Sequence, residues 1–152
     1  KAEVIELVDQ DPIVGEKLRP GVLADQERDP GAAFGQHLAE KHGLRAVLVN
    51  PAVVAHLSLA EFVGTQTNLY TGEAFEFRPE YLDELRALEV PRISRPQDFL
   101  LLAETGDEVL DYRLAVAKYA GCRQVVLEGG DHSFMRWNGY LDTVLEFAGL
   151  IP

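Results

Sequence analysis

The sequence predicts an α/β fold built on a parallel sheet, and three observations carry that prediction. Short, wholly apolar runs recur at residues 46–49, 99–103 and 125–127. Each run ends in turn-forming residues, Asn50-Pro51, Thr105-Gly106 and Gly129-Gly130. Segments with helical spacing lie between and around the runs. A strand buried on both faces reads as a continuous apolar run rather than as an alternation. Such strands interleaved with helices are the pattern of parallel units joined by crossovers.

The elements follow in order. Residues 3–8, EVIELV, suit a short strand or a helix start, and residues 9–33 are rich in Pro, Gly and Asp and read as loop with room for one short element. In AFGQHLAEKHG, residues 33–43, Phe34, Leu38 and Ala39 share one helical face and Gly43 ends the helix. Ala46-Val47-Leu48-Val49 is the first buried strand. Residues 56–90 form a cap-like excursion, with a turn at Tyr70-Thr71-Gly72 and a helix opened by Pro79 whose stripe is Leu82, Leu85 and Leu88. Phe99 to Ala103 is the second buried strand. A helix follows over DYRLAVAKYAG, with Leu114, Val116, Ala117 and Tyr119 inward. RQVVLEGGD is the third buried strand, and NGYLDTVLEFAGL closes the chain as a helix with Leu141, Val144, Leu145 and Ala148 inward.

A chain of 152 residues with 47% hydrophobic content suits a single domain with its own core. The net charge of −11 and the absence of a basic block argue against nucleic acid and anionic membrane surfaces as partners. Cys122 is the one cysteine, so no internal disulfide framework exists, and a reducing, cytoplasmic setting is the expectation. Cys122 itself reads as a small residue near a strand start. No apolar run approaches the ~20 residues that span a bilayer, and no signal peptide is visible. The start at Lys1 suggests a processed or trimmed product.

In open α/β sheets, ligands bind beyond the carboxyl ends of the strands. Those ends here carry Asn50, Asp107 and His132. An acid after one parallel strand and a histidine after the next can meet in space, as the acid and base of a hydrolase triad do. Asp107 would then hold one imidazole nitrogen while the other accepts a proton. Taken singly, each residue is as well explained by a turn or a helix cap.

The stretches AVLVNPAV (46–53), NLYTGEAFEF (68–77), ETGDEVLDYRLAVAKYAGCRQVVLEGGDHSF (104–134) and YLDTVLEFAGL (140–150) resemble the bacterial YqiA-like esterases of the α/β-hydrolase fold. The resemblance covers residues 34–150. It implies an α/β-hydrolase-like sheet with a shortened or altered N-terminal part, no cofactor, Asp107 as triad acid and His132 as triad base. Asp111 falls in the same match, but the Asp of the DEV motif is the one the fold's pattern points to. The excursion would cover the site, with Asn50, Tyr70 and Phe75 as candidate substrate-pocket residues.

The resemblance stops at the nucleophile. A G-x-S-x-G turn should precede the first clear helix. The sequence reads QERDPGAAFGQ there, which puts Asp29 at the serine position, Gly31 at the second glycine and Glu27 at the first. The only serines are Ser58, Ser94 and Ser133, and the strand and His-Gly that help build an oxyanion hole are missing too. Three readings stand. Asp29 is itself a nucleophile, against which Glu27 and Pro30 count. Or the chain is a non-catalytic relative with a binding pocket. Or residues 1–33 are not the ancestral segment, through truncation, rearrangement or a frame change. Ser133 adjoins His132 and so points poorly for attack, and His37 and His42 do not share a helical face. No metal motif occurs. The expectation is a hydrolase of small carboxylic esters with weak or absent activity, the alternative a binding or interaction protein, either of them open to self-association.

Overall fold

The computed structural model describes residues 31–68 and 71–152. Three parallel strands form the main sheet in the order β1, β4, β5: Ala46–Val49, Phe99–Glu104 and Arg123–Leu127. Ala46 aligns with Phe99, and Leu100 with Arg123. The expected α/β architecture with a parallel sheet flanked by helices is the observed one.

The central strand β4 explains the layering. Its side chains alternate between the two faces, and every one of them is buried. Phe99, Leu101 and Ala103 join a core with Ala39, Leu48, Ala115 and Tyr119. These partners come largely from helices α1 (Gly31–His42) and α4 (Tyr112–Lys118), which cover that face. Leu100 and Leu102 point the other way, into a core with Phe134 that Val144 and Phe147 of the last helix, α5 (Leu141–Ala148), also join. A buried polar bridge ties the first layer together. Tyr119 donates its hydroxyl to Gln36 Oε1 at 2.9 Å, and Gln36 Nε2 donates to the Val90 carbonyl at 3.1 Å.

Between β1 and β4 the chain leaves the main sheet and forms further elements over residues 55–87. This segment contains a short helix α2 (Ala55–Ser58), an antiparallel pair β2 (Gly64–Thr67) and β3 (Ala74–Phe77), and helix α3 (Pro79–Ala87). Its own small core is Leu59, Phe77 and Leu85, with Phe34, Phe62, Phe75, Tyr81 and Leu82 packed around it. Phe34 therefore links α1 to this layer.

Several expectations need correction. Among the described residues helix α1 covers Gly31–His42, so it takes in Gly31 and Ala32 ahead of the segment 33–43 that reads as helical. Strand β5 is an edge rather than a fully buried strand, and Val126 is 42% exposed. Leu114 and Ala117 face solvent, while Ala115 and Tyr119 face the core. Asp111 caps α4 by accepting from the Arg113 amide at 3.0 Å, and this sets the rotation of a helix only seven residues long. Leu141, the first residue of α5, is also exposed rather than inward. Of the segment 1–33, only Gly31, Ala32 and Ala33 lie among the described residues, in α1. Among the described residues no helix is long and apolar enough to cross a membrane.

Candidate active site

Asp107 and His132 meet beyond the carboxyl ends of β4 and β5. Strand pairing continues past both strands, with Thr105 N donating to Leu127 O at 2.8 Å and Gly106 N to Gly129 O at 3.0 Å. Asp107 follows immediately. Its Oδ1 accepts from the amides of Val109 and Leu110 at 2.9 and 2.8 Å, closing a turn that holds the carboxylate still. This leaves Oδ2 for His132 Nδ1, 2.9 Å away. The Asp107 side chain is 1% exposed and that of His132 17%. A carboxylate only accepts, so Nδ1 carries the proton and the neutral imidazole keeps its lone pair on Nε2. The contact with Asp107 thus fixes the orientation of the imidazole at Nδ1.

The backbone of the histidine loop is held from three sides. Asn50, at the end of β1, donates Nδ2 to the carbonyls of Asp131 and His132 at 3.0 and 3.1 Å. Its Oδ1 accepts from the Glu104 amide at 2.9 Å. Asn50 has φ of +40°, a conformation that Asn tolerates better than most residues. Glu104, the last residue of β4, is fully buried, and its Oε2 accepts from the Asp131 amide at 2.9 Å. Glu108 Oε2 accepts from the His132 amide at 3.1 Å. Beyond the histidine, Phe134 is buried and meets Tyr140 edge-on, with ring centroids 5.9 Å apart.

Arg136 is a cationic neighbour of the Glu104 carboxylate, with its Nε 3.2 Å from Oε1. That oxygen receives no aligned hydrogen bond, so the pair acts through charge rather than through a directed N–H. Glycines make room for this packing. A Cβ on Gly106 would lie 2.6 Å from the Gly130 carbonyl, and one on Gly130 would overlap the Glu104 carboxylate.

The other expected site residues fare differently. Asn50 is at the site, but its amide is spent on the histidine loop rather than directed at a substrate pocket. Phe75 belongs to the core of the excursion. Asp29 and Tyr70 lie outside the described residues. Ser94 donates its hydroxyl to the Glu40 carboxylate, and its amide donates to Glu40 Oε1 at 2.8 Å, so it is tied to the C-terminal part of α1. Ser133 is exposed beside His132. Cys122 packs against the first core, and burial pushes its thiol up. Met135 and Trp137 are exposed. Among the described residues no group of three or more His, Cys, Asp or Glu side chains is arranged to hold a metal ion.

Glu104 and Arg136 escaped the reading of the sequence. Glu104 had a signal: it shares the alternation of Leu100 and Leu102, so an acid at the end of an apolar strand must point into the Phe134 side of the sheet. Such an acid requires buried donors or a cation. Residues 31–149 match the uncharacterised protein family UPF0227. The chain belongs to that family. The family includes YqiA-like esterases of the α/β-hydrolase superfamily.

Proposed function

We propose that the Asp107–His132 pair is the acid and base of an ester-hydrolysing site, acting on small carboxylic esters. The observation that carries this is the 2.9 Å contact between Asp107 Oδ2 and His132 Nδ1 beyond the ends of adjacent parallel strands. The family and the resemblance to YqiA-like esterases support the substrate class. Since QERDPGAAFGQ stands where the serine turn is expected, the pair works on water rather than on a serine hydroxyl. His132 Nε2 takes a proton from water as its oxygen attacks the ester carbonyl. The tetrahedral intermediate expels the alkoxide, which recovers the proton from the imidazolium, and acid and alcohol leave. Asp107 stays ionised throughout and stabilises the imidazolium.

General-base assistance of this kind contributes about 10²–10⁴-fold, well short of a complete triad. Slow turnover of p-nitrophenyl acetate or butyrate is therefore expected, reduced to the buffer rate by His132→Ala, with no labelling by a fluorophosphonate. Covalent labelling or rapid turnover would overturn the water route. Slow turnover that is indifferent to His132→Ala would overturn the role of the pair. A second reading, a non-catalytic binding protein, draws on the missing serine turn; it predicts ligand binding at the strand ends with no turnover above buffer.

A further inference from the structure

We propose that Asn50 and Glu104 are positioning residues that hold the backbone of the His132 loop, so that the imidazole stays aligned on Asp107. The inference rests on the reading of His132 as a base and adds to it the means by which the base is kept in place. The Asp107–His132 contact alone does not fix the ring, because the loop carrying it leaves the sheet through Gly129 and Gly130, both in the left-handed region with φ of +71° and +81°. Two glycines in succession give the chain more freedom than any other pair would.

The structure removes that freedom at the residues flanking the ring's own attachment point. The Asp131 amide goes to Glu104 Oε2 at 2.9 Å, and the Asp131 and His132 carbonyls go to Asn50 Nδ2 at 3.0 and 3.1 Å. The two holding residues are themselves joined, since Asn50 Oδ1 accepts from the Glu104 amide at 2.9 Å. Glu104 is fully buried and Asn50 is 7% exposed, so neither carries out this work in competition with water. One comes from the end of β1 and the other from the end of β4, the rigid part of the fold. A bare hydrogen-bond acceptor would satisfy the Asp131 amide equally well; the charge of Glu104 additionally draws Arg136 over the glycine turn, 3.2 Å from Oε1.

The test reads alignment directly. In the intact protein the His132 Nδ1 proton should give a downfield, slowly exchanging NMR resonance, assigned by its loss in His132→Gln and in Asp107→Ala. Asn50→Gly deletes the amide while accommodating the positive φ, and Glu104→Ala deletes the acceptor. Each is expected to speed exchange of that proton by about ten-fold or more, the scale of one lost hydrogen bond. Glu104→Gln keeps an acceptor for the Asp131 amide and should restore exchange to near the wild-type rate. If Glu104→Ala does not fold, Asn50→Gly against Glu104→Gln gives the same decision. Folded Asn50→Gly or Glu104→Ala protein that exchanges at the wild-type rate overturns the proposal, as does a wild type with no protected Nδ1 proton. A protein that shows the expected exchange pattern but hydrolyses no ester refutes the hydrolase reading and leaves the holding role intact.

Discussion

Replacing Gly130 with alanine should damage the fold far more than the same change one residue earlier. Both glycines have positive φ, +71° at Gly129 and +81° at Gly130. An alanine at either position therefore carries a conformational strain of about 1–2 kcal/mol. Their surroundings differ. A Cβ at Gly129 would meet only the Arg136 guanidinium at 3.5 Å, the far end of a flexible chain. A Cβ at Gly130 would overlap the carboxyl group of Glu104, which is fully buried and holds the Asp131 amide. The carboxylate must then release the Asp131 amide, a hydrogen bond to a charged acceptor worth about 1.5–3 kcal/mol. Gly130→Ala is thus expected to cost about 2.5–5 kcal/mol and Gly129→Ala about 1–2 kcal/mol. For a chain of this size the gap corresponds to about 3–12 °C in Tm. Urea denaturation followed by far-UV circular dichroism measures both changes. Equal costs, within about 0.5 kcal/mol, would refute the reasoning, because strain is common to the two sites and contact with Glu104 is not.

Two further outcomes follow from the core. Burial pushes the Tyr119 phenol above its ordinary value of 10.0. Above about pH 10 the unfolded chain sheds that proton while the folded chain retains it, so stability is full below that pH and falls above it by up to about 1.4 kcal/mol per pH unit. Tyr119→Phe should flatten this alkaline slope and cost about 1–2 kcal/mol at pH 7 by leaving Gln36 Oε1 without its donor; urea midpoints from pH 8 to 11 check both, and parallel slopes in the two proteins would contradict the assignment. Leu101→Ala, at a fully buried position of β4, should cost about 2–5 kcal/mol. Leu114→Ala, on an exposed face of α4, should stay within about 0.5 kcal/mol of wild type, and comparable losses in the pair would mean that α4 is rotated from its described position.

The three strands and their order along the chain were legible because each is a short apolar run closed by turn residues. What the runs could not convey is position within the sheet. Val125-Val126-Leu127 is as apolar as the central strand, yet among the described residues β5 has a neighbour on one side only, and whether a strand lies at an edge is decided by the rest of the fold. The rotation of α4 was misjudged for a related reason. Leu114 and Ala117 look like core residues by type, as Val116 does, but Asp111 fixes where the helix starts, and the start decides which residues turn inward. The proximity of Asp107 and His132 was legible because chain order and strand direction bring successive strand ends together. The direction of the Asn50 side chain was not. An amide at a strand end serves a substrate or a neighbouring loop equally well, and only the path of the loop distinguishes the two.

The presence of a buried acid at the end of β4 follows from where the sheet stops. Thr105 and Gly106 extend the β4–β5 hydrogen bonding as far as Gly129. One step later the chain must turn toward Asp107, and the Asp131 amide loses the strand partner it would otherwise have had. A backbone donor in that position requires an acceptor from elsewhere. Alternation along β4 puts residue 104 on the Leu100 and Leu102 face, the face under the histidine loop. A carboxylate there satisfies the amide, but as a buried charge it needs further compensation. Arg136, four residues past His132, lies over the turn and supplies it. A leucine at position 104 would extend the second core and leave the amide unpaired. The apolar strand thus ends in an acid because the loop carrying the histidine begins where the ladder runs out, and the same residue that closes the core also bonds that loop at Asp131.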